Sequence, residues 1–301
     1  MQKYRFQVST NSVCYGGISV TYSIVGFCPK EKAWGVAVQS KFLGVGSIVP
    51  WAKAGVGAIA TQSYANTSYG PDGLTYLEEG KSAQDVMQAL TEPDEQRESR
   101  QVGIVDSQGN TATFTGKECY DWAGGLTGEH FAAQGNILVS AATVQALANT
   151  FANTKGSLAD RLLAALESGQ EAGGDKRGMQ SASLLVVKEQ GGYGGFNDRY
   201  IDLRVEDHEQ PIEELKRLVT LHALYFQKTL QEDIASIEGV VEDDLRNELI
   251  RLDYLATSAT STNKVTDAFK TYLHAENFEM REQQTGYIDL AVLRYMKQQN
   301  V

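Results

Sequence analysis

The chain has 301 residues, of which 42% are hydrophobic and 22% charged, and a formal net charge of −11. This length can bury a sizeable core in one large or two modest domains. The composition is too apolar for a disordered chain, and it contains no apolar run long enough for a membrane span. The acidic balance argues against nucleic acid or an anionic membrane as a partner, because both attract clustered Lys and Arg.

The glycines are distributed unevenly along the chain. Of 29 glycines, 27 lie before residue 209, and only Gly239 and Gly286 follow it. Glycine within a strand sacrifices side-chain packing, so its repeated use indicates the close approach of another backbone or of a ligand. The distribution predicts two kinds of structure in one chain.

The cysteines and histidines give no sign of a disulfide framework or a zinc site. Cys14, Cys28 and Cys119 form no C-x-x-C pair, and the four histidines are widely spaced. We therefore predict free thiols in a reducing cytoplasm and no zinc site. The first 19 residues lack the continuous apolar segment of a secretory signal, which also favours a cytoplasmic location.

Short β-rich runs separated by turns begin at Thr21. The runs at 22–27 and 34–38 predict a hairpin with a polar turn, and 44–49 and 55–61 predict further strands laced with glycine. The next predicted elements are short helices within 74–90, strands at 101–105 and 111–115, helices at 141–153 and 157–171 with Ser157 as an N-cap, and strands at 183–187 and 199–205. This order predicts an α+β domain with largely antiparallel sheets.

Beyond Pro211 the apolar residues follow helical spacing. One stripe runs from Ile212 to Phe226, and further helices are predicted near 243–256, 263–275 and 289–297. The C-terminal part is therefore predicted to be a small all-helical module.

Several familiar catalytic motifs are absent from the sequence. It has no phosphate-binding loop, no G-x-S-x-G nucleophile elbow and no H-E-x-x-H zinc helix. The glycines at 191–195 open no helix and indicate a loop between strands. Nothing near Cys119 in sequence would lower its pKa, so we interpret it as a structural thiol.

A set of longer motifs carries a resemblance to a known family. Its members in this chain are residues 21–25, 34–40, 49–58, 60–62, 101–106, 133–136, 173–182 and 202–208. In this order, over roughly residues 21–222, they resemble the family called "domain of unknown function 1028". Residues 252–298 resemble a peptidoglycan-binding-like module that is appended to some members.

The resemblance implies a fold and a reaction, because the family is placed with the N-terminal-nucleophile (Ntn) hydrolase-like proteins. The implied fold is a four-layer αββα sandwich, and the implied reaction is hydrolysis of a small amide or peptide bond. In an Ntn hydrolase the side chain of the first residue attacks the carbonyl. Its own α-amino group, which titrates at about 8, serves as the base.

Thr21 matches the position at which members of the family begin. Here 20 residues precede it, so its nitrogen belongs to a peptide bond and cannot act as a base. Three explanations stay open: the true start lies near Thr21, the extension is cleaved off, or the chain keeps the fold without the chemistry. A Thr21 at an open strand tip beside a pocket lined by Gln62, Asn136 or Arg177 would favour catalysis. A Thr21 whose side chain is buried in the core would end the catalytic hypothesis.

The resemblance also indicates supporting residues. Gln62, Gln134 and Asn136 lie near predicted strand ends, where their amides could hold an oxyanion or a substrate amide, or could simply anchor loops. Arg177 could bind a substrate carboxylate, or it could brace its loop by pairing with Asp175. The assigned catalytic residues are Thr21, Gln62 and Asn136, and the assigned substrate-binding residues are Gln134, Asp175, Arg177 and Gln180.

Together, the sequence and the resemblance predict four segments in the chain. They are an extension over 1–20, an Ntn-hydrolase-like domain over 21–210, a connecting helix over 211–238 and a peptidoglycan-binding-like module over 239–301. We expect an Ntn-type amidohydrolase that acts on a small amide or peptide, uses no metal or organic cofactor and forms a homo-oligomer. The alternative is a catalytically silent scaffold that binds a small ligand or oligomerises, with peptidoglycan as a further partner of the C-terminal module.

Overall fold

The computed structural model describes residues 21–258 and 261–299. The chain divides into two compact units, one ending at Ile212 and the other beginning at Glu213. The predicted extension over 1–20 lies outside the described residues. Among the helices that are described, none is both long and apolar enough to cross a membrane.

From Thr21 onward, where the structure is described, the first unit contains ten strands and four α-helices. The strands are β1 (Thr21–Cys28), β2 (Ala33–Ser40), β3 (Pro50–Lys53), β4 (Gly57–Ser63), β5 (Arg100–Asp106), β6 (Thr111–Thr115), β7 (Gly124–Gly128), β8 (Phe131–Asn136), β9 (Ser181–Lys188) and β10 (Arg199–Val205). The helices are α1 (Tyr69–Glu78), α2 (Ala83–Thr91), α3 (Ala142–Asn153) and α4 (Leu158–Glu171). The predicted α+β class with antiparallel sheets is confirmed.

Two antiparallel sheets form the centre of this unit. One has six strands in the order β10-β9-β2-β1-β8-β7, and the other has four in the order β3-β4-β5-β6. Alternate side chains of β1 and β2, including Val25, Phe27 and Trp34, pack against Ala58 and Ala60 of β4. Period-two alternation therefore places one face of the central hairpin against the other sheet.

The opposite face of the six-stranded sheet packs against α3 and α4. Glycines make this approach possible, because a Cβ built at Gly26 would lie 2.7 Å from the Phe151 ring and one at Gly35 would lie 2.8 Å from Leu162. The four-stranded sheet packs its outer face against α1 and α2, with Ile59, Val86 and other buried apolar residues between them. Glycine in these strands thus serves close packing of helices on sheets.

The predicted strand at 44–49 is wrong. Gly44 has a φ of 64°, in the left-handed region, and Val45–Ser47 form a turn of 3-10 helix. Extended structure resumes only at Pro50, the first residue of β3. Val45 and Val49 are buried all the same, which explains why the segment has the apolar character of a strand.

The second unit is mainly helical. Its elements are α5 (Pro211–Phe226), β11 (Ile234–Ser236), α6 (Val240–Arg251), α7 (Thr262–Ala275), β12 (Tyr287–Asp289) and α8 (Leu290–Met296). Its core includes Leu249, Phe269, Tyr272 and Phe278. The prediction of an all-helical module is wrong, because β11 and β12 form a two-stranded antiparallel sheet. Three-residue strands so distant in sequence leave no period-two pattern to detect.

Asp94 and Arg100 form a nearly buried ion pair beside α1. Arg100 Nε lies 2.9 Å from Asp94 Oδ2, and the Tyr69 hydroxyl donates to the same oxygen at 2.7 Å. Burial alone would raise the pKa of Asp94. Hydrogen bonds from Arg100, from Tyr69 and from the backbone of Gln96 outweigh it and lower the pKa from 3.8 to about 2.

This pair predicts a specific pH dependence of stability. Because the folded-state pKa of Asp94 is depressed, its contribution is fully present above pH 4 and is lost as pH falls towards 2. We expect the loss to be about 2 kcal/mol of unfolding free energy, and Asp94→Asn should remove that part of the pH slope. Urea titrations between pH 2 and 6 measure the unfolding free energy of the wild type and of Asp94→Asn. An equal dependence of this free energy on pH in the two proteins would contradict the prediction.

Candidate functional site

Four strand ends meet at one end of the six-stranded sheet. Thr21 begins β1 and lies opposite both Ser40, the last residue of β2, and Asn136, the last residue of β8. Ser40 in turn lies opposite Ser181, the first residue of β9. The Thr21 Oγ1 and Ser40 Oγ atoms are 3.1 Å apart. This end of the sheet therefore gathers hydroxyl and amide side chains from segments far apart in sequence.

Thr21 is fully buried. Thr21 is therefore not at the open strand tip that would favour catalysis. In the described chain its hydroxyl is not exposed to solvent. The surroundings of Thr21 are nevertheless polar.

A buried amide cluster lies beside Thr21 between the two sheets. It consists of Gln62 on β4, Gln101 on β5, and Gln134 and Asn136 on β8, each at most 1% exposed. Ser23 of β1 lies among them, donating to Gln62 Oε1 and accepting from Gln134 Nε2 at 2.6 Å. This end of the inter-sheet layer is thus polar, whereas the part of the layer nearer the hairpin turn is apolar.

Two amides of the cluster reach the main chain of Thr21. Gln62 Nε2 donates to the Thr21 carbonyl oxygen at 3.2 Å, and Asn136 Nδ2 donates to the same oxygen at 3.4 Å. These are two of the residues that the sequence assigned to catalysis. In this structure their N–H groups hold Thr21 itself.

The substrate-binding residues assigned on the 173–180 loop lie near the same end of the sheet. The Asp175 carboxylate accepts from the backbone N–H groups of Lys41 at 3.0 Å and of Arg177 at 2.7 Å. Burial raises the pKa of Asp175, and these N–H groups act in the opposite direction. Arg177 Nη2 lies 3.5 Å from Asp175 Oδ2, which matches the alternative in which the pair braces the loop.

A surface cleft of about 560 Å³ opens at this end of the first unit. It is lined by Lys41, Met179, Gln180, Asp207, His208, Glu209 and Gln210. Lys41 follows Ser40, the residue paired with Thr21, and Gln180 Nε2 donates to Asp207 Oδ1 at 3.1 Å. Of the assigned site residues, Gln180 lines the cleft, whereas Gln62, Asn136 and Arg177 are not among its lining residues.

Gln101 is the member of the cluster that the sequence analysis did not single out. Its Oε1 atom accepts from Gln62 Nε2 at 2.8 Å and from Asn136 Nδ2 at 3.0 Å. The sequence pattern that could have pointed to Gln101 is its spacing from Gly103, because residues two apart in a strand face the same side. Gly103 faces Gln134, and a Cβ built at Gly103 would lie 2.1 Å from Gln134 Oε1. A polar residue on the glycine face of a strand indicates that another polar group lies across from it.

The remaining candidates stay apart from this site. Cys28 and Cys119 are buried and unpaired, and burial raises the pKa of the Cys119 thiol, whereas Cys14 lies outside the described residues. Over residues 21–258 and 261–299, no three His, Cys, Asp or Glu side chains come together as metal ligands would.

Two protein-family models match the chain. Residues 21–215 match the model described as "Family of unknown function (DUF1028)", and residues 225–296 match one described as "Putative peptidoglycan binding domain". The first match covers more than half of the chain, so the chain belongs to the DUF1028 family. The resemblance seen in the sequence is confirmed.

One solved structure supports the same assignment. The crystal structure of protein SPO2555 from Silicibacter pomeroyi, a DUF1028 protein, is similar with a TM-score of 0.62 and 29% sequence identity. The similarity covers 74% of this chain and 89% of that one. No curated protein matches the chain.

Proposed function

We propose that this protein is a latent Ntn-type amidohydrolase in which Thr21 becomes the nucleophile once residues 1–20 are removed. The packing of the first unit supports the four-layer αββα sandwich that such enzymes have. Helices α3 and α4 lie on one side of the paired sheets, and α1 and α2 lie on the other. The substrate would be a small amide or peptide.

One observation carries the proposal: Thr21 stands at the start of a central strand, fixed by groups from three other strands. Ser40 contacts its hydroxyl, and Gln62 and Asn136 bind its carbonyl. A nucleophile must be held in one geometry to gain from proximity. Strands β2, β4 and β8, which supply these contacts, belong to both sheets, so the fold itself locates Thr21.

The reaction requires a free α-amino group on Thr21. This amine would take the proton from Oγ1 as the oxygen attacks the amide carbonyl, and the leaving amine would take that proton as the C–N bond breaks. Water would then hydrolyse the ester on Thr21, which regenerates the hydroxyl and releases the acid. With residues 1–20 attached, the nitrogen of Thr21 is an amide and supplies no base.

The adjoining cleft is the proposed place for the rest of the substrate. Lys41 and Gln180 supply donors there, and Asp207 and Glu209 supply acceptors, which suits a molecule with both amine and carboxylate groups. Arg177 and Asp175 would shape its wall through the loop that they brace. Gln134 would act through Ser23, to which it donates.

The burial of Thr21 favours a second candidate, a catalytically silent scaffold that binds a small ligand or oligomerises. Intact-mass spectrometry of protein expressed from its native start separates the two. A mature mass beginning at Thr21, together with reaction of that residue with a threonine-directed electrophile, supports the hydrolase. A chain that keeps residues 1–20 at full occupancy, and whose truncated form is equally unreactive, supports the scaffold.

Peptidoglycan binding by residues 239–301 is a further proposal, supported by the family match over 225–296. We expect the full chain to be enriched on insoluble peptidoglycan relative to a chain that ends at Ile212. A pull-down with both proteins measures it, and equal recovery would end the proposal. Since peptidoglycan lies outside the cytoplasm, enrichment would also count against the predicted cytoplasmic location.

A further inference from the structure

We propose that Gln101 is a positioning residue that orients the two amides holding Thr21. The inference rests on the proposed function of Thr21 and adds a residue that does not touch Thr21 itself. Gln101 lies on β5 in the four-stranded sheet, whereas Thr21 lies on β1 in the six-stranded sheet. Its influence on Thr21 passes through Gln62 and Asn136.

The bonds of Gln101 fix the direction of its own amide group. Its Nε2 atom donates to the Gly135 carbonyl at 2.8 Å, the Thr115 hydroxyl at 3.0 Å and the Gly124 carbonyl at 3.3 Å. Its Oε1 atom accepts from Gln62 and Asn136. A reversed amide would set its N–H groups against two donors, so only one orientation satisfies the surroundings.

The Asn136 side chain makes its shorter hydrogen bond to Gln101. The bond from Asn136 Nδ2 to Gln101 Oε1 is 3.0 Å, and the bond to the Thr21 carbonyl is 3.4 Å. Its Oδ1 atom is buried and has no hydrogen-bond partner among the described residues. Without Gln101, the Asn136 side chain would keep a single long bond and could rotate away from Thr21.

Gln62 depends on Gln101 in a similar way. Its shortest bond from Nε2 is the one to Gln101, at 2.8 Å, against 3.2 Å to the Thr21 carbonyl. The Gln101 Oε1 atom thus contacts both donors, and Ser23 additionally donates to Gln62 Oε1. Loss of this one oxygen would release two contacts on the main chain of the nucleophile.

A second buried glutamine provides a matched control. Gln39 on β2 is fully buried, like Gln101, and neither its Oε1 nor its Nε2 atom has a partner among the described residues. In register it lies opposite Tyr22 and Ala182, on the helix side of the sheet. Gln39→Leu therefore removes a buried amide of the same kind without touching the amide cluster.

The first measurement uses the full chain and needs no activity. Side-chain amide signals of Gln62 and Asn136 are followed by nuclear magnetic resonance in the wild type, Gln101→Leu and Gln39→Leu. We expect Gln101→Leu to shift both signals and to speed their hydrogen exchange at least 10-fold, and Gln39→Leu to leave them unchanged. Unaltered Gln62 and Asn136 signals in a folded Gln101→Leu protein would overturn the inference.

The second measurement uses the chain from Thr21 onward and a short-chain β-lactone as the probe. We expect Gln101→Leu to slow acylation of Thr21 by about 10- to 100-fold, since misplacing a reacting group by about 1 Å can cost about that much. Gln39→Leu should acylate at the wild-type rate. Equal rates for Gln101→Leu and wild type overturn this inference alone, whereas an unreactive wild type overturns the proposed function and this role of Gln101 with it.

Discussion

A chain that begins at Thr21 is expected to be acylated at that residue by a β-lactone, whereas the full-length chain is not. Removal of residues 1–20 takes away the chemical barrier to this reaction. The Thr21 nitrogen becomes a free amine that can serve as the base, and general-base catalysis contributes about 100- to 10,000-fold. The Thr21 hydroxyl is fully buried in the described chain, so labelling also reports whether the reagent can reach it.

The pH profile of this labelling follows from the identity of the base. The amine acts as a base only when it is unprotonated, so the rate should rise as pH passes through about 8 and then level off. Intact mass and peptide mapping measure the extent and the position of labelling. A rate that is flat between pH 6 and 9 would exclude the α-amine as the base.

Substitutions at Thr21 separate nucleophilic chemistry from accidental labelling. Thr21→Ala should abolish the adduct, and Thr21→Ser should retain part of it because the hydroxyl and the amine both remain. Thr271→Ala, at an exposed threonine on α7, serves as the matched control and should label like the wild type. An adduct that persists in Thr21→Ala would contradict the proposal and favour the silent scaffold.

Replacing Arg281 with methionine is expected to destabilise the second unit by about 3–5 kcal/mol. Arg281 is 5% exposed and Asp289 is fully buried. Arg281 Nη1 lies 2.9 Å from Asp289 Oδ2, and Nε donates to the Leu224 carbonyl at 2.7 Å. Asp289 also accepts from the Ala291 N–H at the start of α8. The substitution leaves a buried carboxylate without its cation, and α5 without a donor.

Urea unfolding can locate this effect within the chain. All three tryptophans, Trp34, Trp51 and Trp122, precede residue 213, so tryptophan fluorescence follows the first unit while far-ultraviolet circular dichroism follows both. We expect Arg281→Met to shift the circular dichroism transition and to leave the fluorescence transition in place.

A surface pair provides the control for this prediction. Arg294 and Asp233 lie 2.8 Å apart, with the Arg294 side chain 58% exposed. Arg294→Met should therefore cost less than about 1 kcal/mol. Similar losses in the two variants would contradict the argument that burial sets the cost.

Local patterns predicted much of this fold. Ser157 caps α4 through a capping box with Asp160, as its position before a helical stripe indicated. The strands at 101–105 and 183–187 lie within β5 and β9. These predictions succeeded because period and capping are properties of neighbouring residues. The strand predicted at 44–49 was wrong because Gly44 adopts a left-handed backbone conformation, which turns the chain before an otherwise apolar segment.

By itself, the sequence determined the antiparallel α+β class, the change of structure near Pro211 and the DUF1028 family. The role of Thr21 as a nucleophile stays a prediction. The tertiary structure alone decided what surrounds Thr21. Gln62 and Asn136 reach its carbonyl because β1 pairs with β8 and packs on β4, and Gln101 joins them from β5. The sequence separations between these residues are large, and no local period encodes them. Pairing of distant strands brings them together, and hydrogen bonds between these buried amides hold them there.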